Sequence, residues 1–128
     1  MNRTASHTDN APKALGPYSQ AIVANGFVFC AGQTPFDPAT GKLVEGDVSA
    51  QTRRCLDNLA AVLESAGSSW GHAVKVSVFL KDLGDFAAMN AVYAEYMPTP
   101  APVRSTVEVA GLPLGARVEI DVIAVVAS

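Results

Sequence analysis

Apolar residues along this chain fall into short blocks whose period changes several times. "SQAIVANGFVFCAG" (residues 19–32) is two brief apolar runs around Asn25-Gly26. That dipeptide accepts positive φ, so the stretch predicts a β-hairpin. "TPFDPATGKLVEG" then concentrates Pro, Gly, Asp and Thr and predicts a turn-rich loop. From Asp47 the period becomes helical: Leu56, Leu59, Leu63 and Ala66 recur at three- and four-residue steps, and Gly67 stands where a C-terminal cap belongs. "HAVKVSVFLKD" alternates, with Val74, Val76, Val78 and Leu80 on one side and Lys75, Ser77 and Lys81 on the other. Asp82 or Asp85 can cap a second helix, whose apolar stripe is Phe86, Met89, Tyr93 and Tyr96 or Met97. Pro98 and Pro100 end it. Two further strands are expected around 104–110 and 117–126.

The resulting order is β-β-α-β-α-β-β. It predicts an α+β fold in which two helices cover one face of a single sheet. The other face must be covered or wet, and self-association is the natural solution because the last strand is apolar on both sides near its end. The first ten residues read as a flexible tail, leaving 11–128 as one domain. A chain of 128 residues is long enough for a core without disulfides or metals. Its charged fraction, 16%, is low against about 25% in soluble domains.

Charge narrows the function classes. The formal net charge is −3 and the basic residues are scattered, with Arg53–Arg54 the one adjacent pair. Neutralising several phosphates takes a basic patch, so nucleic-acid binding is disfavoured. No apolar run reaches the roughly 18 residues that span a bilayer, and the N-terminus lacks the apolar region of a secretory signal. Cys30 and Cys55 form no CxxC and have no His at metal-ligand spacing. A reduced cytoplasmic protein is expected.

The last strands carry the candidate chemistry. In "PVRSTVEVAGLPLGARVEIDVIAVV" (residues 102–126), Arg104, Glu108, Arg117, Glu119 and Asp121 interrupt apolar, β-branched sequence. Residues i and i+2 of a strand share a face about 6.6–6.8 Å apart. Glu119 and Asp121 therefore project together, opposite Val118, Ile120 and Val122. That separation would suit an inverting glycosidase, but few aromatics are present to line a sugar cleft. Arg104 shares a face with Thr106 and Glu108, and a guanidinium binds a carboxylate through two parallel hydrogen bonds. If the last two strands are neighbours, Arg104 and Glu119 can meet directly or across a subunit boundary. A cation holding an acid and a glutamate handling a proton would make a small hydrolytic site. His72, His7 and Cys30 are weaker candidates. Walker, GxGxxG and HExxH motifs are absent.

"GPYSQAI" (16–22), "FCAGQTPFDPATG" (29–41) and "VRSTVEVAGLPLGARVEIDVIAV" (103–125), in this order and spacing, resemble the RidA (reactive intermediate deaminase) family, also written YjgF. The similarity runs from about Ala11 to the end, and "AQTRRCLDNLAAVLESAG" fits it as well. The resemblance implies a chorismate-mutase-like α+β fold and a homotrimer whose sheets line a central barrel, with a pocket at each subunit interface. It implies hydrolysis of short 2-imino acids such as 2-iminobutanoate and 2-iminopropanoate to 2-oxo acids and ammonia, without cofactor or metal. By motif position, Arg104 would clamp the substrate carboxylate and Glu119 would handle water and proton. Tyr18 would close the pocket; Gly32, Thr106 and Asn90 would line it. Ala31 departs from the pattern, because many imine deaminases of the family have serine there; Val103, where alanine is common, is a smaller change. The alternatives are deamination of an aminoacrylate or aminomuconate-type catabolic enamine, single-strand endoribonuclease activity, which the acidic balance opposes, and a non-catalytic trimer binding small carboxylates or partner proteins.

Overall fold

A computed structural model describes residues 2–127. It contains six strands, β1 (Arg3–Ser6), β2 (Ala21–Ala24), β3 (Phe27–Cys30), β4 (Ala73–Leu80), β5 (Val103–Glu108) and β6 (Val118–Val125), and two helices, α1 (Val48–Ser65) and α2 (Phe86–Ala94). They form one sheet in the order β1-β2-β3-β6-β4-β5. The β4–β5 pair is parallel and joined through α2, while every other pair is antiparallel.

Local chemistry accounts for the element ends. Asn25 and Gly26 take φ of 54° and 80°, as a tight hairpin between β2 and β3 demands. The Asp47 carboxylate accepts from Ala50 N–H at 3.0 Å and caps α1. Gly67, at φ 78°, ends the same helix. The two acids offered for α2 behave differently. Asp82 accepts from Gly84 N–H and caps a short 3₁₀ turn before α2. Asp85 precedes α2 but gives its carboxylate to Arg117 instead, at 2.8 Å.

Both helices lie on one face of the sheet. Leu56, Leu59, Val62 and Leu63 of α1 are sealed against Val28, Val76, Val78, Leu80, Val118, Ile120 and Val122. In α2 the buried residues are Met89, Val92 and Tyr93. Phe86, expected in that apolar stripe, is instead 37% exposed. Val74 also leaves its expected row, because a register shift between Ala73 and Lys75 bulges the start of β4. The opposite face carries Phe27, Phe29, Ile123, Val103 and Val107, with Val103 65% exposed. No helix among the described residues is long and apolar enough to cross a membrane.

The expected tail, residues 1–10, is corrected in part. Arg3–Ser6 is an edge strand in register with Ala21–Ala24. Its sequence, RTAS, has no apolar alternation because its side chains are mostly exposed and its pairing is made by the backbone. Buried Gln20 ties down the segment between β1 and β2: its amide accepts from Thr8 N–H at 2.8 Å and donates to the Pro12 carbonyl at 2.9 Å.

Candidate functional site

Glu119 sits on the open face of β6. The burial of that strand alternates strictly, with Val118, Ile120, Val122 and Ala124 inward and Glu119 and Asp121 outward, as the two-residue period predicts. Beside it runs the segment that continues from β3. Gln33 exchanges both backbone hydrogen bonds with Ile120, at 2.8 and 3.0 Å, which brings Gly32 against the Glu119 side chain. A Cβ added at Gly32 would lie 2.5 Å from Glu119 Oε2, so glycine leaves room for the carboxylate in this position and a larger residue would oblige the Glu119 side chain to shift. Asn58 of α1 donates to the Phe36 carbonyl at 2.9 Å and holds the following loop in place.

Burial raises the Glu119 pKa above its ordinary 4.5, and the neighbouring charge of Asp121 adds to the effect. Asp121 is raised by burial too, while hydrogen bonds from Ser77 and the charge of Lys75 oppose the shift. Glu119 and Gly32 open onto a cleft of about 610 Å³, whose wall includes Tyr18, Leu15, Phe36 and Leu114. The Tyr18 hydroxyl accepts from Leu15 N–H at 3.2 Å, which folds the ring over this cleft. Ala31 uses its N–H to reach the Gln20 carbonyl at 2.9 Å and does not line the cleft wall.

Arg104 lies elsewhere. It is in register with Val76, which is in register with Val122, and both valines are buried against the helices. Glu119 is in register with Phe79, in the row of opposite orientation. Arg104 and Glu119 therefore leave the sheet on opposite faces. The condition that the last two strands be neighbours fails because the β4-α2-β5 crossover places β4 between β5 and β6. Arg104 is not among the residues that line the Glu119 cleft.

Around Arg104 the second helix builds a cradle. Arg104 Nη1 donates to Asn90 Oδ1 at 2.7 Å. The guanidinium carbon stands 4.6 Å from the Tyr93 ring centroid and 5.4 Å from that of Phe86. No carboxylate among the described residues pairs with this arginine. Thr106, two residues on, faces the same way. Its Oγ1 is sealed from solvent without a hydrogen-bond partner, as is the Tyr93 hydroxyl. Burial raises the Tyr93 phenol, and the charge of Arg104 opposes the shift.

Six of the seven candidate residues thus divide into two groups, Tyr18, Gly32 and Glu119 around the cleft and Asn90, Arg104 and Thr106 beneath α2, while Ala31 stays outside the cleft wall. The remaining charges have structural partners. Arg117 is bidentate to Asp85, and Glu108 Oε1 accepts from Leu83 N–H at 2.9 Å. Burial pushes the Cys30 thiol up to about 12 and holds Cys55 well above its ordinary value, which disfavours the nucleophilic thiolate at both. His72 meets Ser69 at the surface. The sequence reading puts Phe86 and Tyr93 in an apolar stripe and misses their contact with Arg104. Their signal was the spacing with Asn90, since 86, 90 and 93 fall on one helical stripe.

Residues 8–126 match the family described as endoribonuclease L-PSP. A RutC family protein of Pyrococcus horikoshii is 55% identical over 91% of this chain and 93% of its own length. The chloroplastic Reactive Intermediate Deaminase A of Arabidopsis thaliana is 48% identical over 91% of this chain and 63% of its own. Among solved structures, Escherichia coli TdcF with bound serine superposes with a TM-score of 0.91 at 40% identity, covering 97% of this chain and 99% of that one. A conserved Rid-family protein of Yersinia pestis reaches 0.93 at 46% identity, covering 98% of this chain and all of that one. The chain belongs to the RidA (YjgF) family, of which the reactive intermediate deaminases are members.

Proposed function

We propose that the protein hydrolyses short 2-imino acids to 2-oxo acids and ammonia, at sites shared by adjacent copies of a homotrimer. One observation carries this reading. A single chain presents two complementary half-sites, a guanidinium with no counter-charge and a carboxylate of raised pKa, on opposite faces of its sheet. The apolar open face, with Phe27, Phe29 and Val107, supplies a surface for a second copy to cover. The serine bound to the TdcF relative is consistent with a site for small amino-acid-like carboxylates. Two free thiols suit a reducing cytoplasm.

In this reading Arg104 of one copy binds the substrate carboxylate bidentately and fixes the imine carbon above the neighbour's Glu119. Glu119 takes a proton from water as the water oxygen bonds to C2 of the protonated imine and the C=N pair moves to nitrogen, giving a neutral carbinolamine. The proton returns from Glu119 to nitrogen, and the C–N bond breaks with its electron pair leaving on ammonia. The hydroxyl proton passes to the departing ammonia, as ammonium, while the O–H pair becomes the second C2–O bond. A carboxylate whose pKa is raised toward neutrality is suited to both accepting and returning that proton. Gly32 permits the close approach under Glu119, and Tyr18 closes the cleft. Asn90 orients Arg104. The Thr106 hydroxyl is sealed, so its backbone and methyl are what it offers a ligand.

The test generates 2-iminobutanoate and 2-iminopropanoate in situ and follows oxo-acid formation. Acceleration by the wild type, lost in Arg104→Ala and Glu119→Gln, is the expected result. No acceleration by well-folded wild type retires the reading for these substrates.

A further inference from the structure

Every group that holds the Arg104 guanidinium is neutral. Asn90 accepts one hydrogen bond through its amide oxygen at 2.7 Å. Tyr93 and Phe86 each present a ring within reach of the cation, at 4.6 and 5.4 Å. Aromatic faces attract a guanidinium through their quadrupole without neutralising it. A carboxylate at any of these positions would orient the arginine equally well but would compete with an incoming acid. The two rings also differ. Tyr93 is only 6% exposed and belongs to the core, whereas Phe86 leaves 37% of its surface in solvent at the first turn of α2. An aromatic side chain that contributes little to the core but contacts Arg104 needs a reason to be there.

We propose that Phe86 and Tyr93 are positioning residues, which together with Asn90 hold the Arg104 guanidinium in its carboxylate-binding orientation while leaving its charge unspent. The inference rests on the reading of Arg104 as the carboxylate clamp and extends it to two side chains of α2. Neither ring needs to touch substrate, and the Tyr93 hydroxyl has no accessible surface with which to do so. Loss of one ring frees the guanidinium to sample other rotamers, and the substrate must then order it on binding.

Phe86 is the cleaner probe because its removal empties no core. The experiment measures binding of 2-oxobutanoate to the intact protein by calorimetry, beside steady-state kinetics on the imine. Phe86→Leu is expected to weaken binding roughly threefold to tenfold, the range of one partly desolvated cation–π contact. The loss should appear in KM rather than kcat, with thermal stability near that of wild type, and Phe86→Tyr should restore it. Asn90→Asp should keep the arginine oriented yet weaken binding at least as much, because the new charge occupies the clamp. Wild-type affinity in Phe86→Leu, or in Asn90→Asp, overturns the neutral cradle. Arg104→Ala separates the two levels: if it binds 2-oxobutanoate as well as wild type does, or if wild type does not bind it, the clamp fails and the cradle with it.

Discussion

The two proposed half-sites are built by different means. The Glu119 half depends on backbone: a strand, a bridge at Gln33 and a glycine whose missing Cβ makes room for the carboxylate. The Arg104 half depends on side chains: a long flexible cation aligned by one amide and two rings from α2. The contrast fits the chemical role proposed for each half. A proton-transfer group needs a fixed distance and a shifted pKa, which a close-packed backbone supplies. A clamp needs direction without neutralisation, which neutral side chains supply. Variants of the first half should therefore depress kcat, and variants of the second should raise KM.

The largest effect is expected for Glu119→Gln. It keeps the size of the side chain and removes proton transfer, and should lower kcat by about 10²–10⁴. Arg104→Ala should lower kcat/KM by about 10² or more, chiefly through KM. Gly32→Ala comes next. Its new methyl must push the Glu119 carboxylate aside, and a displacement of about 1 Å can reduce the rate roughly 100-fold. A kcat close to wild type in Gly32→Ala would break the contrast, since it would show that Glu119 does not depend on its backbone seat.

Asp121→Asn sharpens the same half. The Glu119 pKa is raised first by burial and second by Asp121, so removing the second charge lowers it. In the proposed mechanism Glu119 acts as base when ionised, so the acid limb of the kcat/KM profile should move to lower pH. An unmoved limb would assign it to another group. Stability carries the opposite sign to activity. Both acids bind protons more tightly folded than unfolded, so stability declines as pH rises from their ordinary values through the raised ones. Asp121→Asn should flatten that decline in a thermal-shift series. The smallest effect is expected for Ala31→Ser. Ala31 does not line the cleft in one chain, and a hydroxyl there should change kcat/KM only about threefold, the worth of one modest hydrogen bond.

Much of this architecture was legible in the residues. Asn25-Gly26 announced its hairpin, Asp47 and Gly67 bracketed α1, and the alternation of β6 placed Glu119 and Asp121 together. These are local signals, each carried by a few adjacent positions. What escaped was non-local or backbone-borne. RTAS pairs through main-chain groups that leave no mark in hydrophobicity. The insertion of β4 between β5 and β6 is a choice of sheet order, to which the period of an isolated strand is blind. Consequently the sequence pattern drew Arg104 and Glu119 toward each other, whereas the fold separates them. Phe86 looked like core because an aromatic at helical spacing usually is core; its partner turned out to be a cation.

The central claim is that neither half-site works alone within its own chain. Separately inactive Arg104→Ala and Glu119→Gln chains would be unfolded together, refolded as an equimolar mixture and assayed with 2-iminobutanoate. If adjacent copies share each site, random assembly restores an intact Arg104–Glu119 pair at roughly a quarter of the interfaces, and about that share of wild-type activity should return. Mixed assemblies that form but stay inactive would contradict the account.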